Sequence, residues 1–185
     1  MSAVTDPNAW RSQSPGSGAV IDYTVHSLAP TMEPLVNLCA SGVIERFPTL
    51  RFGSIEAGVG WVPWMLTAMD ESYHKHQMWV RPKLKNPPSE CFRTNGFASF
   101  GEDPPGLALM NDYDLGENFL WANDFPHHEG TWPHSAAAIE RTMGDLDDGS
   151  RANVLGLNPA RIFKFDIPGR YRNFADAAAL AEDSK

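Results

Sequence analysis

Phe119-Leu120-Trp121-Ala122-Asn123-Asp124-Phe125-Pro126-His127-His128-Glu129-Gly130-Thr131-Trp132-Pro133-His134-Ser135 is the stretch that decides how the chain reads. The run Phe119 to Trp121 is continuously apolar rather than alternating. That suits a strand within Asn118–Asn123 buried on both faces, the habit of parallel sheets covered by helices. A polar, proline-stiffened loop follows, and beyond Ser135, read as a cap, Ile139 and Met143 return at helical spacing. Strand, loop and helix make one β/α unit, and reactive groups in such units gather in the loop after the strand.

Working outward, the same alternation recurs. Leu50 to Glu56 reads as a short strand ending in Gly58, followed by a helical stripe of Val62, Met65, Leu66, Met69 and Tyr73 with Pro63 near its first turn. Phe97 to Phe100 reads as a strand after a Pro-rich loop, with Asp103 and Pro104 as cap and first turn of a helix through Leu107 to Met110. Upstream, Leu35, Leu38, Cys39 and Val43 predict a helix capped by Thr31 and closed by Pro48. Downstream, a helical pair runs from Ser150 through Phe163, restarted at Asn158-Pro159. Repeated strand–helix units imply an α/β fold with a parallel sheet covered by helices. Residues 1–30, punctuated by Pro7, Pro15, Gly16, Gly18 and Pro30, read as a leading loop, 31–170 as the body, and 171–185 as a tail with an alanine-rich marginal helix over Asn173–Glu182.

Composition sets the outer limits. With 42% hydrophobic and 21% charged residues in 185 positions, the chain suits a globular core rather than disorder or a disulfide-stapled miniprotein. A net charge of −8, with only Arg81, Lys83 and Lys85 scattered as a basic group, argues against duplex nucleic acid as a partner. Cys39 and Cys91 form no C-x-x-C pair, and each sits among apolar neighbours as a small buried side chain, which fits a reducing cytoplasm. Met1 to Trp10 has neither a basic nor an apolar region and the apolar stretch Ala57–Met69 is broken by Gly and Pro, so neither a signal peptide nor a membrane span is expected.

Two carboxylates fall where chemistry is expected. Asp124 follows the apolar strand and Glu56 ends the earlier one; each either binds a divalent metal or a metal-bound water, or caps the following helix. The loop carrying Asp124 also holds His127, His128, His134, Glu129 and Trp132, which either line a substrate pocket or stand solvated on the surface. The spacing His128-Glu129 to His134 is not that of H-E-x-x-H, and Pro133 forbids a continuous helix. His74-Lys75-His76 lies at the end of a helix, where side chains two apart do not share a face, and His26 stands alone. No G-x-G-x-x-G, Walker loop or G-x-S-x-G elbow occurs.

Taken together, Trp121–Ser135 resembles the final-strand motif of the amidohydrolase-related family that includes aminocarboxymuconate-semialdehyde decarboxylase. The segments Ser41–Phe52, Ile55–Pro63, Pro88–Arg93 and Asn158–Phe163 agree with it in order. The resemblance implies the C-terminal strands and helices of a (β/α)8 TIM barrel, short of the roughly 250 residues such a barrel takes. It also implies a metal-dependent hydrolase or decarboxylase acting on a small organic acid. Asp124 falls on the family's last-strand aspartate, which binds the metal or orients its water, and Glu56 stands where many relatives carry a histidine. His127 matches a common pocket histidine that orients Asp124 or contacts substrate, and Trp132 a pocket wall. The family's first-strand His-x-His and fifth-strand His have no counterpart, so zinc, the divalent metal expected, is expected to be weakly held or absent in this chain alone. Expected partners are therefore a small-molecule substrate and either further copies of the chain or a complementing N-terminal half. The other expectation is a non-enzymatic remnant that associates through an open sheet edge.

Overall fold

A computed structural model describes residues 29–169 together with positions 20, 24 and 25; His26, most of the expected leading loop and nearly all of the expected tail lie outside the described residues. Three parallel strands, β1 (Phe52–Ser54), β2 (Gly96–Phe100) and β3 (Phe119–Trp121), form one sheet in chain order. Phe52 pairs with Gly96 and Ser54 with Ala98, while Ala98 pairs with Phe119 and Phe100 with Trp121. Parallel neighbours need a crossover, and helices supply it. α1 (Ala29–Ala40) and α2 (Val43–Arg46) precede β1, and α3 (Val62–Lys75) and α4 (Pro88–Asn95) lead from β1 to β2. α5 (Pro104–Met110) leads from β2 to β3, and α6 (Ser135–Met143), α7 (Asp148–Ala152), a π turn over Asn153–Leu157 and α8 (Asn158–Phe163) follow. This is a partial β/α barrel wall, as the sequence implies.

The apolar stripes find their burial here. Val62, Met65 and Leu66 of α3, Phe92 of α4, Met110 of α5, Phe119 of β3, Met143 of α6 and Val154 are all essentially inaccessible and form one continuous core. Phe52 meets Phe92 edge to face with ring centroids 6.2 Å apart, adding a directed contact to the burial. Where helices run into strands, three buried amides tie the ends together. Asn95 donates to the carbonyls of Pro48 and Leu50, Asn118 to those of Phe92, Arg93 and Gly96, and Asn158 to those of Gly116 and Phe119. Each amide gives carbonyls at these junctions a side-chain partner.

Several boundaries differ from the sequence reading for identifiable reasons. α1 begins at Ala29, so Pro30 belongs to it and Thr31 lies inside its first turn rather than capping it. The stripe through Val43 is split at Ser41-Gly42, where Gly42 adopts φ 70° and the chain turns before α2. The Pro-rich stretch before β2 contains α4, because Pro88 occupies its first position, where a missing N–H costs nothing. Ser135 is the first residue of α6, its hydroxyl 3.1 Å from that of Thr131, and His134 holds the cap position without a side-chain bond. α7 starts before Ser150, capped by the side chain of Asp147.

Candidate metal centre

All three strands end on the same side, and their following loops share it. The β1 loop carries Glu56 and the β3 loop carries Asp124 and His127. Both carboxylate residues occupy the left-handed region, Glu56 at φ 62° and Asp124 at φ 57°, a conformation that costs a non-glycine residue and tends to persist where it aims a functional side chain. Ser99, near the C-terminal end of β2, receives the Glu56 N–H at 3.2 Å, holding the first loop over the sheet. Asp103 caps α5 through the Gly106 N–H and accepts the N–H groups of Val59 and Gly60 at 2.6 and 2.7 Å, so one carboxylate fixes the β1 loop to the β2 loop.

The β3 loop is braced from within. Thr131 N–H donates to the Asn123 carbonyl at 3.0 Å, the Asn123 side chain accepts from Phe125 N–H, and His127 N–H donates to the Asp124 carbonyl at 2.9 Å. Gly130 sits so close that a Cβ there would lie 2.5 Å from the Asn123 carbonyl oxygen, so this turn requires glycine. The result is that one donor atom each from Glu56, Asp124 and His127 lie within 4.8 Å of one another. His127 Nδ1 stands 3.2 Å from Asp124 Oδ1; Asp124 is partly sheltered, while Glu56 and His127 open to solvent. Two carboxylates and an imidazole form a donor set suited to a divalent first-row metal, and three protein donors with room for further ligands is what a catalytic site needs.

The other nominated residues take lesser places. Trp132 is 61% exposed and meets Phe125 edge to face at 5.8 Å on the same loop, making an aromatic rim. His128 is directed to solvent, 3.6 Å from Glu129. His74 lies in the last turn of α3 and His76 packs on Trp79, and neither belongs to the donor cluster. Ser99, Asp103 and Asn123 were not singled out as supports of the site from sequence. Only Asp103 carried a signal, its place before Pro104, and that announced a cap rather than a clamp between loops.

The amidohydrolase family profile matches residues 15–165. The chain belongs to the amidohydrolase family. No curated protein matches it. Among solved structures, this amidohydrolase chain is similar to 5-carboxyvanillate decarboxylase from Sphingomonas paucimobilis, with 28% identity and a TM-score of 0.59 over 71% of this chain and 38% of that one. It also shares the fold of a dihydroxybenzoic acid decarboxylase from Polaromonas sp. JS666, solved with bound manganese and the inhibitor 2-nitroresorcinol, with 18% identity and a TM-score of 0.59 over 83% of this chain and 48% of that one. A 2,6-dihydroxybenzoate decarboxylase complexed with 2,6-dihydroxybenzoate gives 17% identity and a TM-score of 0.59 over 81% and 48%. The chain thus spans less than half the length of these enzymes. No described helix is long and apolar enough to cross a membrane.

Proposed function

We propose that this chain forms the C-terminal wall of a metal-dependent decarboxylase acting on a hydroxylated aromatic acid. The observation that carries the reading is the convergence of Glu56, Asp124 and His127 at the open ends of parallel strands. The chemistry of the similar solved enzymes favours decarboxylation over hydrolysis, and the oxygen-rich donor set suits manganese at least as well as zinc. When bound, a divalent metal supplies Lewis acidity toward substrate oxygens. Loss of carbon dioxide leaves a carbon that needs a proton; Asp124, with the His127 imidazole beside it, is the group assigned to hold and deliver that proton. Trp132 and Phe125 wall the aromatic ring, and Glu56 is the third donor this chain contributes.

The remaining donors and the rest of the pocket are assigned to a segment or subunit that pairs with the sheet. Among the described residues β1 and β3 pair only with β2, so both outer edges carry unpaired backbone groups. The same open edges favour the second reading, an interaction module without catalysis. Titration of manganese followed by electron paramagnetic resonance tests the first: binding no tighter than micromolar for this chain alone, weakened at least about tenfold by Asp124→Asn and by Glu56→Gln. Manganese binding indifferent to both substitutions would overturn it.

A further inference from the structure

Cys39 of α1 and Cys91 of α4 carry no catalytic assignment, and their separation in sequence gives no sign that they meet. In the fold they do. Both thiols are free, Cys39 is buried at 2% exposure, Cys91 is only partly covered, and both residues line one cavity. Cys91 Sγ also lies 3.9 Å from the Leu38 carbonyl, next to Cys39 in the chain. A cavity of about 140 Å³ opens onto the pair, lined by both cysteines with Glu45, Leu84, Asn86 and Glu90. It lies in the helix layer, where α1 and α4 turn toward the strands, and shares no residue with the Glu56–Asp124–His127 cluster.

We propose that Cys39 and Cys91 form a reactive dithiol site that accepts a small, amine-bearing disulfide from this cavity and closes to an intramolecular disulfide. The roles follow from position. Cys91 is the accessible sulfur and the attacking group, and Cys39, behind it, is the resolving one. The neighbouring Cys39 thiol draws the Cys91 thiol below its ordinary range, against the opposing effects of burial and of Glu45. Cys91 in turn, with burial and the charge of Asp70, pushes Cys39 far up. An accessible thiol with a buried one behind it is the arrangement by which exchange proceeds in one direction. Glu45 at the cavity favours a cationic reagent over an anionic one, while Glu90 beside it is ion-paired with Arg93.

In the first step the Cys91 thiolate attacks one sulfur of the reagent, forming a mixed disulfide and releasing one thiolate, which takes a proton. In the second, Cys39 loses its proton and attacks the Cys91 sulfur, forming the Cys39–Cys91 bond and releasing the second small thiol. Two protein thiols are oxidised and one external disulfide is reduced to two thiols.

The test treats the full chain with cystamine, quenches with an alkylating agent and maps the peptides by mass spectrometry. The wild-type chain is expected to lose two hydrogens and yield a linked Cys39–Cys91 peptide pair. Cys39→Ser is expected to stop at a mixed disulfide on Cys91, and Cys91→Ser to leave Cys39 unmodified. Before oxidation, Cys91 is expected to alkylate at least about tenfold faster than Cys39. A wild-type chain in which both thiols remain alkylatable, in which the mixed disulfide on Cys91 persists, or in which Cys39 reacts first would overturn the proposal. The wild-type map decides the matter even if either variant folds poorly.

Discussion

Glu56 and Asp124, at the ends of strands separated by β2, share the left-handed backbone conformation and bring carboxylate oxygens within 4.8 Å of each other. Neither property helps the folded chain. A left-handed non-glycine residue costs about 1–2 kcal/mol, less for Asp than for Glu, and like charges at this range repel. Glu56→Gly removes both penalties and keeps the N–H bond to Ser99, at the expense of a more flexible unfolded chain, which takes back about 0.4–1 kcal/mol. The expected net effect is a gain of about 0.5 kcal/mol in urea denaturation, together with loss of metal affinity. A destabilisation of a kilocalorie or more would show that the Glu56 side chain serves the fold rather than the site.

Asp103 is the opposite case, a carboxylate whose whole role is architectural. Asp103→Ala removes a helix cap and two charge-assisted bonds to the Val59 and Gly60 N–H groups, and should cost about 3 kcal/mol by the same measurement. Asp103→Asn, which keeps one acceptor oxygen, should recover about half. Because these bonds hold the loop carrying Glu56, the alanine variant should also weaken manganese binding without touching a donor.

How far the sequence discloses this depends on the range of the interaction. The strand at Phe119–Trp121 and the helix at Val62–Lys75 are legible because apolar spacing is local and burial rewards it. The helix at Pro88–Asn95 is not, since two adjacent prolines signal a loop as readily as a helix start. Asp124 could be nominated from its place after a strand and from a family resemblance. Glu56 could be nominated on the same strand-end ground and His127 from the resemblance, but that all three donors come within 4.8 Å depends on sheet register and on two left-handed residues, of which spacing carries no trace. The meeting of Cys39 and Cys91 depends on how α1 packs against α4, a contact between surfaces that only the folded chain defines.

Asn118 is buried to 4% exposure and its amide donates to three carbonyls at the junction of α4, β2 and β3. Asn118→Leu, similar in branching though bulkier, takes the side-chain donor from all three carbonyls in a dry site and leaves the Phe92 carbonyl only the Gly96 N–H. The cost should exceed about 3 kcal/mol, more than the added bulk alone would give, and Asn118→Asp should be no better because it replaces the donor with an acceptor. Thermal melting of the two variants checks this: a shift in Tm of only a degree or two in the leucine variant would mean that water replaces the amide.

Trp132 separates fold from function more cleanly than any of these. At 61% exposure, with Phe125 as its ring partner at 5.8 Å, it contributes little burial, so Trp132→Ala should change stability by no more than about 1 kcal/mol. If the ring walls an aromatic acid, as proposed, the same change removes a face against which that acid would pack and should weaken binding of 2,6-dihydroxybenzoate about tenfold, read by line broadening of the ligand protons in the presence of manganese. Trp132→Phe keeps an aromatic face and should retain most of the affinity. Equal broadening with all three chains would remove Trp132 from the pocket and leave it as a surface residue of the β3 loop.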